Sequence, residues 1–280
     1  MQALADSFRK SEQIIGLVPT MGALHDGHLR LIKIAAKKAN IVIVSIFVNP
    51  TQFGPKEDFS RYPRAFKSDC EKIKSAGGNV IFHPSVADIY PLNFSTFIEM
   101  GPISEILEGS RRPGHFRGVA TICAKLFNIT KPHFAVFGQK DGQQLAIIRK
   151  MVRELNFDLE IVRGPIVRTK SGIAMSSRHA YLYDEDLGKA VVIGDSLRLA
   201  ESMIRDGNRS ITAIESKMRK LISRAPGVDI DYISFNRWDD LTSLNTLSGR
   251  VIVSLVVKIS GIRLLDNMII SVRRKSKRER

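Results

Sequence analysis

Short apolar runs alternate with amphipathic stretches over the first two-thirds of the chain. Ile14–Val18 and Ile41–Val48 are nearly continuous apolar runs rich in β-branched residues, the pattern of strands covered on both faces. Between them Leu29, Ile32, Ala35, Ala36 and Ala39 recur at helical spacing and predict a helix over Leu29–Ala39. The alternation continues with a helix over Ala65–Ala76, a strand over Asn79–Phe82 after the Gly77-Gly78 break, and a helix over Gly118–Ile129. A strand over His133–Phe137, a helix from about Gln143 to Leu155 and a strand over Asp158–Val162 close the series. Past Arg163-Gly164-Pro165 the pattern changes. Asp184–Met203 and Ile211–Ser223 read as helices, and Val228–Ser234, Arg250–Ile259 and Ile262–Leu265 as strands. The expected fold is α/β: a parallel sheet with helices on both faces over residues 1–166, then a smaller α+β domain over residues 167–280.

Parallel sheets of this kind bind ligands beyond the carboxyl ends of their strands. Three polar, glycine-containing loops follow predicted strands: Pro19–His28, Asn49–Arg64 and Gly138–Gln144. Chemistry is expected there.

Composition narrows the field. Hydrophobic residues make up 44% and charged residues 25% of 280 residues, a globular balance that excludes a disordered chain. At about 150 residues per domain, the length fits two domains. No apolar run approaches the ~18 residues of a membrane helix. The opening MQALADSFRK lacks the apolar segment of a signal peptide. Two cysteines, Cys70 and Cys123, without a C-x-x-C motif exclude a disulfide framework and a cysteine-rich zinc site. A reducing, cytoplasmic setting is expected. The net charge of +15 raises a nucleic-acid reading. Part of it is local, since Ser271–Arg280 holds six basic residues and one acidic one and reads as a solvated tail. That tail has no aromatic residue on which bases could stack. Anionic small substrates account for a basic body equally well, so neither a specific nucleic-acid partner nor a membrane is expected.

Five segments carry candidate chemistry. Met21-Gly22-Ala23-Leu24-His25-Asp26-Gly27-His28 leads into a helix, where free backbone N–H groups and the dipole favour a phosphate. His25 and His28, three apart, share a helical face and can donate hydrogen bonds to phosphates as negative charge builds; the alternative is two exposed histidines at a cap. A zinc site lacks a third ligand at suitable local spacing. Gly138-Gln139-Lys140-Asp141 places a lysine to meet a phosphate as a point charge, or is a turn with solvated charges. Met175-Ser176-Ser177-Arg178 offers two hydroxyls and a guanidinium to phosphate oxygens, or caps a helix. Asn49 and Gln52, in a loop after the second strand, offer amides suited to a small hydroxy acid, or are ordinary turn residues. Arg112, in Arg111-Arg112-Pro113-Gly114-His115-Phe116-Arg117, can hold a carboxylate bidentately, or belongs to a basic surface loop.

Taken together and in order, VPTMGALHDGHLRL, VSIFVNPTQFGPKEDFSRYPR, LEGSRRPGHFRGVATICAKLFN, FGQKDGQQLAIIRKMV, AMSSRHAYL and a late RLLDN at Arg263–Asn267 closely resemble the pantoate–β-alanine ligase family, of the H-x-G-H nucleotidylyltransferase superfamily. The resemblance covers nearly the whole chain. It implies a Rossmann-like N-terminal domain with a smaller C-terminal lid, and a dimer joined through the N-terminal domains. It implies a two-step reaction: pantoate and ATP give pantoyl adenylate and pyrophosphate, then β-alanine gives pantothenate and AMP, with Mg²⁺ accompanying ATP. No local spacing identifies a protein ligand for that metal.

By position, the resemblance makes Met21, Gly22, Ala23, Leu24, His25, Asp26, Gly27 and His28 the ATP loop, with His28 and His25 supporting phosphate charge. It adds Gly138, Gln139, Lys140, Asp141, Val167, Met175, Ser176, Ser177 and Arg178 to the ATP site, with Lys140 counted among the catalytic residues. Gln52 and Gln144 become pantoate-binding amides, with Asn49 and Arg112 beside the substrates. Three departures stand out. Gln139 stands where Glu is frequent in the family, the segment before the first strand is short, and Gly142 stands where the family usually has an aromatic residue. With only polar neighbours at 139–141 and 143, that glycine is expected to leave a looser ATP-side loop. The rivals are a nucleotidylyltransferase acting on a phosphorylated acceptor and a basic nucleic-acid-binding protein.

Overall fold

The computed structural model describes residues 1–55 and 57–272. Nine helices and eight strands occur among them: α1 Gln2–Lys10, β1 Ile15–Thr20, α2 Asp26–Ala36, β2 Ile41–Ile46, α3 Phe66–Ser75, β3 Val80–Phe82, α4 Val86–Ile89, α5 Glu108–Arg111, α6 His115–Thr130, β4 Phe134–Gly138, α7 Gly142–Glu154, β5 Glu160–Gly164, α8 Asp184–Arg205, α9 Ile211–Ile222, β6 Val228–Arg237, β7 Gly249–Ile259 and β8 Ile262–Val272. They form two compact units. The first is Met1–Gln139 with Gln143–Val167, and the second is Lys140–Gly142 with Arg168–Arg280. The sequence pattern places the boundary near residue 166, to within several residues. The compact units part after Val167, and Lys140–Gly142, which the pattern did not set apart, groups with the second of them.

In the first unit five strands run in the order β3-β2-β1-β4-β5, every pair parallel. The order reverses between β1 and β4, so this is a doubly wound, Rossmann-like sheet whose switch point lies at their carboxyl ends. The loops leaving those ends are Met21–His25 and Gln139–Asp141. Val18, Val44 and Val136 of the strands pack with Leu31 and Ile32 of α2 and Ile73 of α3, the apolar-in arrangement that the helical spacing dictates.

The second unit pairs β6-β7-β8 antiparallel and in sequence. Leu197 and Ile204 of α8 and Met218 of α9 bury themselves against Val253, Leu255 and Val257 of β7. Strand β8 continues to Val272, seven residues past the predicted end at Leu265. Polar Asp266 and Asn267 interrupt the apolar pattern, but both are buried with hydrogen-bond partners, so the ladder runs through them. Ser271 and Val272, read above as the start of the tail, are its last residues; Arg273–Arg280, and the expectation of a solvated tail, lie outside the described residues.

Other differences are local. No element was predicted at α1. It buries only Ala5 fully and is tied down by Arg9, which donates to the Lys131 carbonyl at 2.8 Å, and by the Lys131–Asp6 ion pair. Helix α2 starts at Asp26 rather than Leu29, and α6 starts at His115 rather than Gly118. No described helix is long and apolar enough to cross a membrane.

Candidate active site

The loop after β1 is held chiefly through its main chain. Gly22 and Ala23 have positive φ, 84° and 51°, the left-handed backbone of a tight turn. The wholly buried carboxylate of Asp69, on α3, accepts from Ala23 N and Leu24 N at 2.8 Å each. Lys72, one turn further on α3, donates to the Leu24 carbonyl at 2.8 Å. Thr20 donates from its hydroxyl to the Ser45 carbonyl at 2.7 Å and accepts from Gly22 N at 3.3 Å. Neither Asp69 nor Lys72 was singled out in the sequence, because both lie forty or more residues beyond the loop that they hold.

His25 caps α2. Its Nδ1 accepts from Gly27 N at 3.1 Å, and the Nδ1 of His28 accepts from His25 N at 3.3 Å. The two ring centroids are 4.1 Å apart. With both Nδ1 atoms engaged as acceptors, each neutral ring carries its proton on Nε2. The start of α2 therefore brings the positive end of the helix dipole and two ring donors together, and Asp26 takes the exposed first position of the helix.

Asn49 and Gln52 form a second constellation in this unit. Asn49, 1% exposed, donates to Gln52 Oε1 at 3.1 Å and to the Gly118 carbonyl at 3.2 Å, and accepts from Tyr90 OH at 2.7 Å. Gln52 Nε2 donates to Met21 Sδ at 3.2 Å, which ties the amide to the first loop. This turn lies directly on α6: a Cβ on Gly118 would come within 2.4 Å of the Thr51 carbonyl oxygen, so only glycine permits the approach.

Arg112 was expected at a substrate carboxylate. Its fork is instead engaged by Glu57, with Nε–Oε1 at 2.7 Å and Nη2–Oε2 at 2.5 Å. It also meets His115 Nε2 at 3.0 Å. His115 in turn donates from Nδ1 to the Gln52 carbonyl at 2.8 Å. Burial, and next the Arg112 cation, lower the His115 pKa to about 4, so the ring is neutral. Arg112 and His115 thus brace Gln52.

Gln144 of α7 is half-buried. Its neighbour Gln143, overlooked in the sequence, accepts from Glu108 N and donates to the carbonyls of Ile103 and Ile106, at 2.8 to 3.0 Å. Gln139 accepts from Arg163 at 2.8 Å, joining the ends of β4 and β5, which Gly138 and Gly164 also pair. Val167, half-buried, is the last residue of this unit.

The remaining candidates belong to the second unit. Lys140 Nζ lies 3.3 Å from the exposed Asp141. Ser176 caps a short 3-10 turn over Ser177–Tyr181 by accepting from Arg178 N at 3.3 Å. Met175 precedes Ser176, and His179 lies within the turn. Burial foremost, then the Lys140 cation, lower the His179 pKa, which keeps that ring neutral beside Ser176. The hairpin leading to this turn pairs Arg168 with Ala174. Arg168 forms a bidentate pair with Asp266 of β8, where burial pushes the carboxyl above its ordinary value against the pull of the guanidinium.

Gly142 corrects the expectation of a looser loop. A Cβ there would meet Ile252 Cδ1 at 2.7 Å and Asn267 Nδ2 at 3.3 Å. The space is already filled, by an isoleucine from β7 and an amide from β8.

The family model described as Pantoate-beta-alanine ligase matches residues 1–269. The chain belongs to the pantoate–β-alanine ligase family. A pantothenate synthetase from Syntrophomonas wolfei is 50% identical over 273 residues, 97% of each chain. One from Thermotoga petrophila is 46% identical over 270 residues, 96% of each. Among solved structures, pantothenate synthetase from Thermus thermophilus superposes with a TM-score of 0.89 at 37% identity, covering 94% of this chain and 96% of that one. The pantoate–β-alanine ligase of Francisella tularensis, solved with β,γ-ATP and β-alanine, gives 0.77 at 36% identity and 95% of each chain. The Rossmann-like sheet and the separate antiparallel domain are thus those of pantoate–β-alanine ligases.

Proposed function

We propose that the chain condenses pantoate with β-alanine through a pantoyl adenylate, giving pantothenate, AMP and pyrophosphate. The observation that carries this reading furthest is the histidine pair at the start of α2. Two rings with acceptor Nδ1 atoms offer two Nε2–H donors beside a helix N-terminus, an arrangement suited to triphosphate oxygens.

In the first step a pantoate carboxylate oxygen attacks the α-phosphorus of ATP, and the bond to the pyrophosphate oxygen breaks. Charge grows on the α-phosphate and on the leaving pyrophosphate. His28 and His25 donate to those oxygens, and Lys140, Ser176, Ser177 and Arg178 supply further positive charge and donors. Gln52 and Gln144 orient the pantoate, and Asn49 holds Gln52 in place through its Oε1. In the second step the β-alanine amine attacks the acyl carbon, the bond to AMP breaks, and the amine loses a proton. The acyl adenylate is already activated, so this step needs an oriented amine and exclusion of water rather than a covalent nucleophile.

Among the described residues no group of three or more His, Cys, Asp or Glu side chains is placed to hold a metal ion. Mg²⁺ therefore enters this proposal with ATP, on the phosphates themselves. A lid role for residues 167–280, a homodimer and a cytoplasmic location belong to the same proposal. Support for the last is that both cysteines, Cys70 and Cys123, are free thiols.

Incubation with ATP, Mg²⁺ and pantoate alone tests the reading. Pyrophosphate should appear before β-alanine is added, and AMP with pantothenate afterwards. ADP and inorganic phosphate in place of AMP and pyrophosphate would overturn it.

A further inference from the structure

The RLLDN segment of β8 has no part in the chemistry described so far. Its last two residues are polar, sit inside a strand, and are 2% and 1% exposed. Asp266 is engaged by Arg168 and by the main-chain N–H of Asn267, at 2.7 Å. Asn267 reaches a different segment: its Nδ2 donates to the carbonyl oxygen of Lys140 at 2.8 Å. The same amide lies against Gly142, where an added Cβ would come within 3.3 Å of it and 2.7 Å of Ile252 Cδ1. Lys140–Gly142 is accordingly part of the second unit, although the residues on either side of it are part of the first.

A carbonyl held by a buried side-chain donor has its direction fixed, and so does the Cα that carries the side chain. The Lys140 side chain is only 22% exposed, with its ammonium 3.3 Å from Asp141. Its reach is set by the main chain from which it springs. Three features converge on that main chain: the Asn267 hydrogen bond, the Ile252 methyl, and a glycine at position 142 that leaves room for both.

We infer that Asn267 is a positioning residue for Lys140, holding its main chain where the ammonium meets the phosphates during adenylation. This rests on the role given to Lys140 above. Asn267 touches no substrate in this account and acts only through Lys140. A displacement of about 1 Å at a charged group can cost up to about 10²-fold in rate. Adenylation should suffer, whereas amide formation from a ready-made adenylate has no triphosphate to hold and should not.

The test is a double-mutant cycle in the full chain. Asn267→Ala, Lys140→Ala and the double variant are compared for pyrophosphate release from ATP and pantoate, and for reaction of supplied pantoyl adenylate with β-alanine. Asn267→Ala should lower adenylation about 10-fold or more and leave the second half-reaction within about threefold. In the Lys140→Ala background it should cost almost nothing further. Asn267→Asp keeps the side chain's shape but turns an acceptor toward the Lys140 carbonyl, so it should lose adenylation similarly if the alanine variant does not fold. Equal losses in both half-reactions, unchanged adenylation, or a full additional loss on top of Lys140→Ala would overturn the inference. Normal adenylation by Lys140→Ala alone would instead overturn the role proposed for Lys140.

Discussion

The two regions carrying the expected phosphate-binding residues are built by different means. In the first unit the loop after β1 is held through its own main chain: Asp69 and Lys72 grip Ala23 and Leu24, and the two histidines are locked by backbone N–H groups. In the second unit the groups ride on short segments tied to β8 by side chains: Asp266 to Arg168, and Asn267 to the Lys140 carbonyl. Main-chain fixation tolerates many side-chain choices within the loop itself. Side-chain fixation makes Lys140 and the hairpin before Ser176 depend on two buried residues about a hundred positions away in sequence.

The contrast is tested most severely at His28. His28→Ala removes a donor that acts on the developing charge, so adenylation should fall about 10²-fold or more. The reaction of supplied pantoyl adenylate with β-alanine should change much less, and equal losses in the two assays would count against the assignment. Next comes the anchor beneath it. Asp69→Ala leaves two loop N–H groups without their buried acceptor, which should cost about 3 kcal/mol of stability and raise the KM for ATP. A variant as stable as the parent would mean that the loop keeps its shape unaided.

On the side-chain-held half, Gly142→Tyr should destabilise the protein by about 2 kcal/mol, since the ring must displace Ile252 and Asn267. A higher Tm would show a gap there instead. The smallest effect is expected from His115, whose pKa is lowered from 6.5 to about 4. Between those values the unfolded chain binds a proton that the folded chain does not, so stability falls as pH falls through that window. From pH 6 to pH 5 the loss due to this one ring should be about 1 kcal/mol. His115→Asn should flatten that part of the pH–stability curve; an unchanged slope would assign it to other groups.

Much of the first unit was legible in the sequence because its signals are local. Continuous apolar strands separated by helical spacing predicted the parallel sheet, and the polar, glycine-containing loops after β1, β2 and β4 were the ones expected to carry chemistry. What escaped depends on contacts distant in sequence. Asp69 looked like one more polar residue in a helix, and Gly118 like one small residue in an apolar helix. Arg112 looked like a carboxylate clamp until Glu57 was seen in its fork. Strand β8 was cut short because buried Asp266 and Asn267 imitate a loop in any pattern of polar and apolar positions. Gly142 was read from its chain neighbours, all polar, whereas the residues that fill the space beside it come from β7 and β8.

The claim on which the rest depends is that pantoate oxygen becomes bonded to the α-phosphorus of ATP. It is tested most directly with pantoate labelled with ¹⁸O in its carboxylate, turned over with ATP, Mg²⁺ and β-alanine, followed by mass spectrometry of the nucleotide product. The account predicts AMP carrying one ¹⁸O, since the bridging oxygen leaves with the nucleotide when the amine attacks the acyl carbon. Unlabelled AMP, or ¹⁸O in inorganic phosphate alongside ADP, would contradict it.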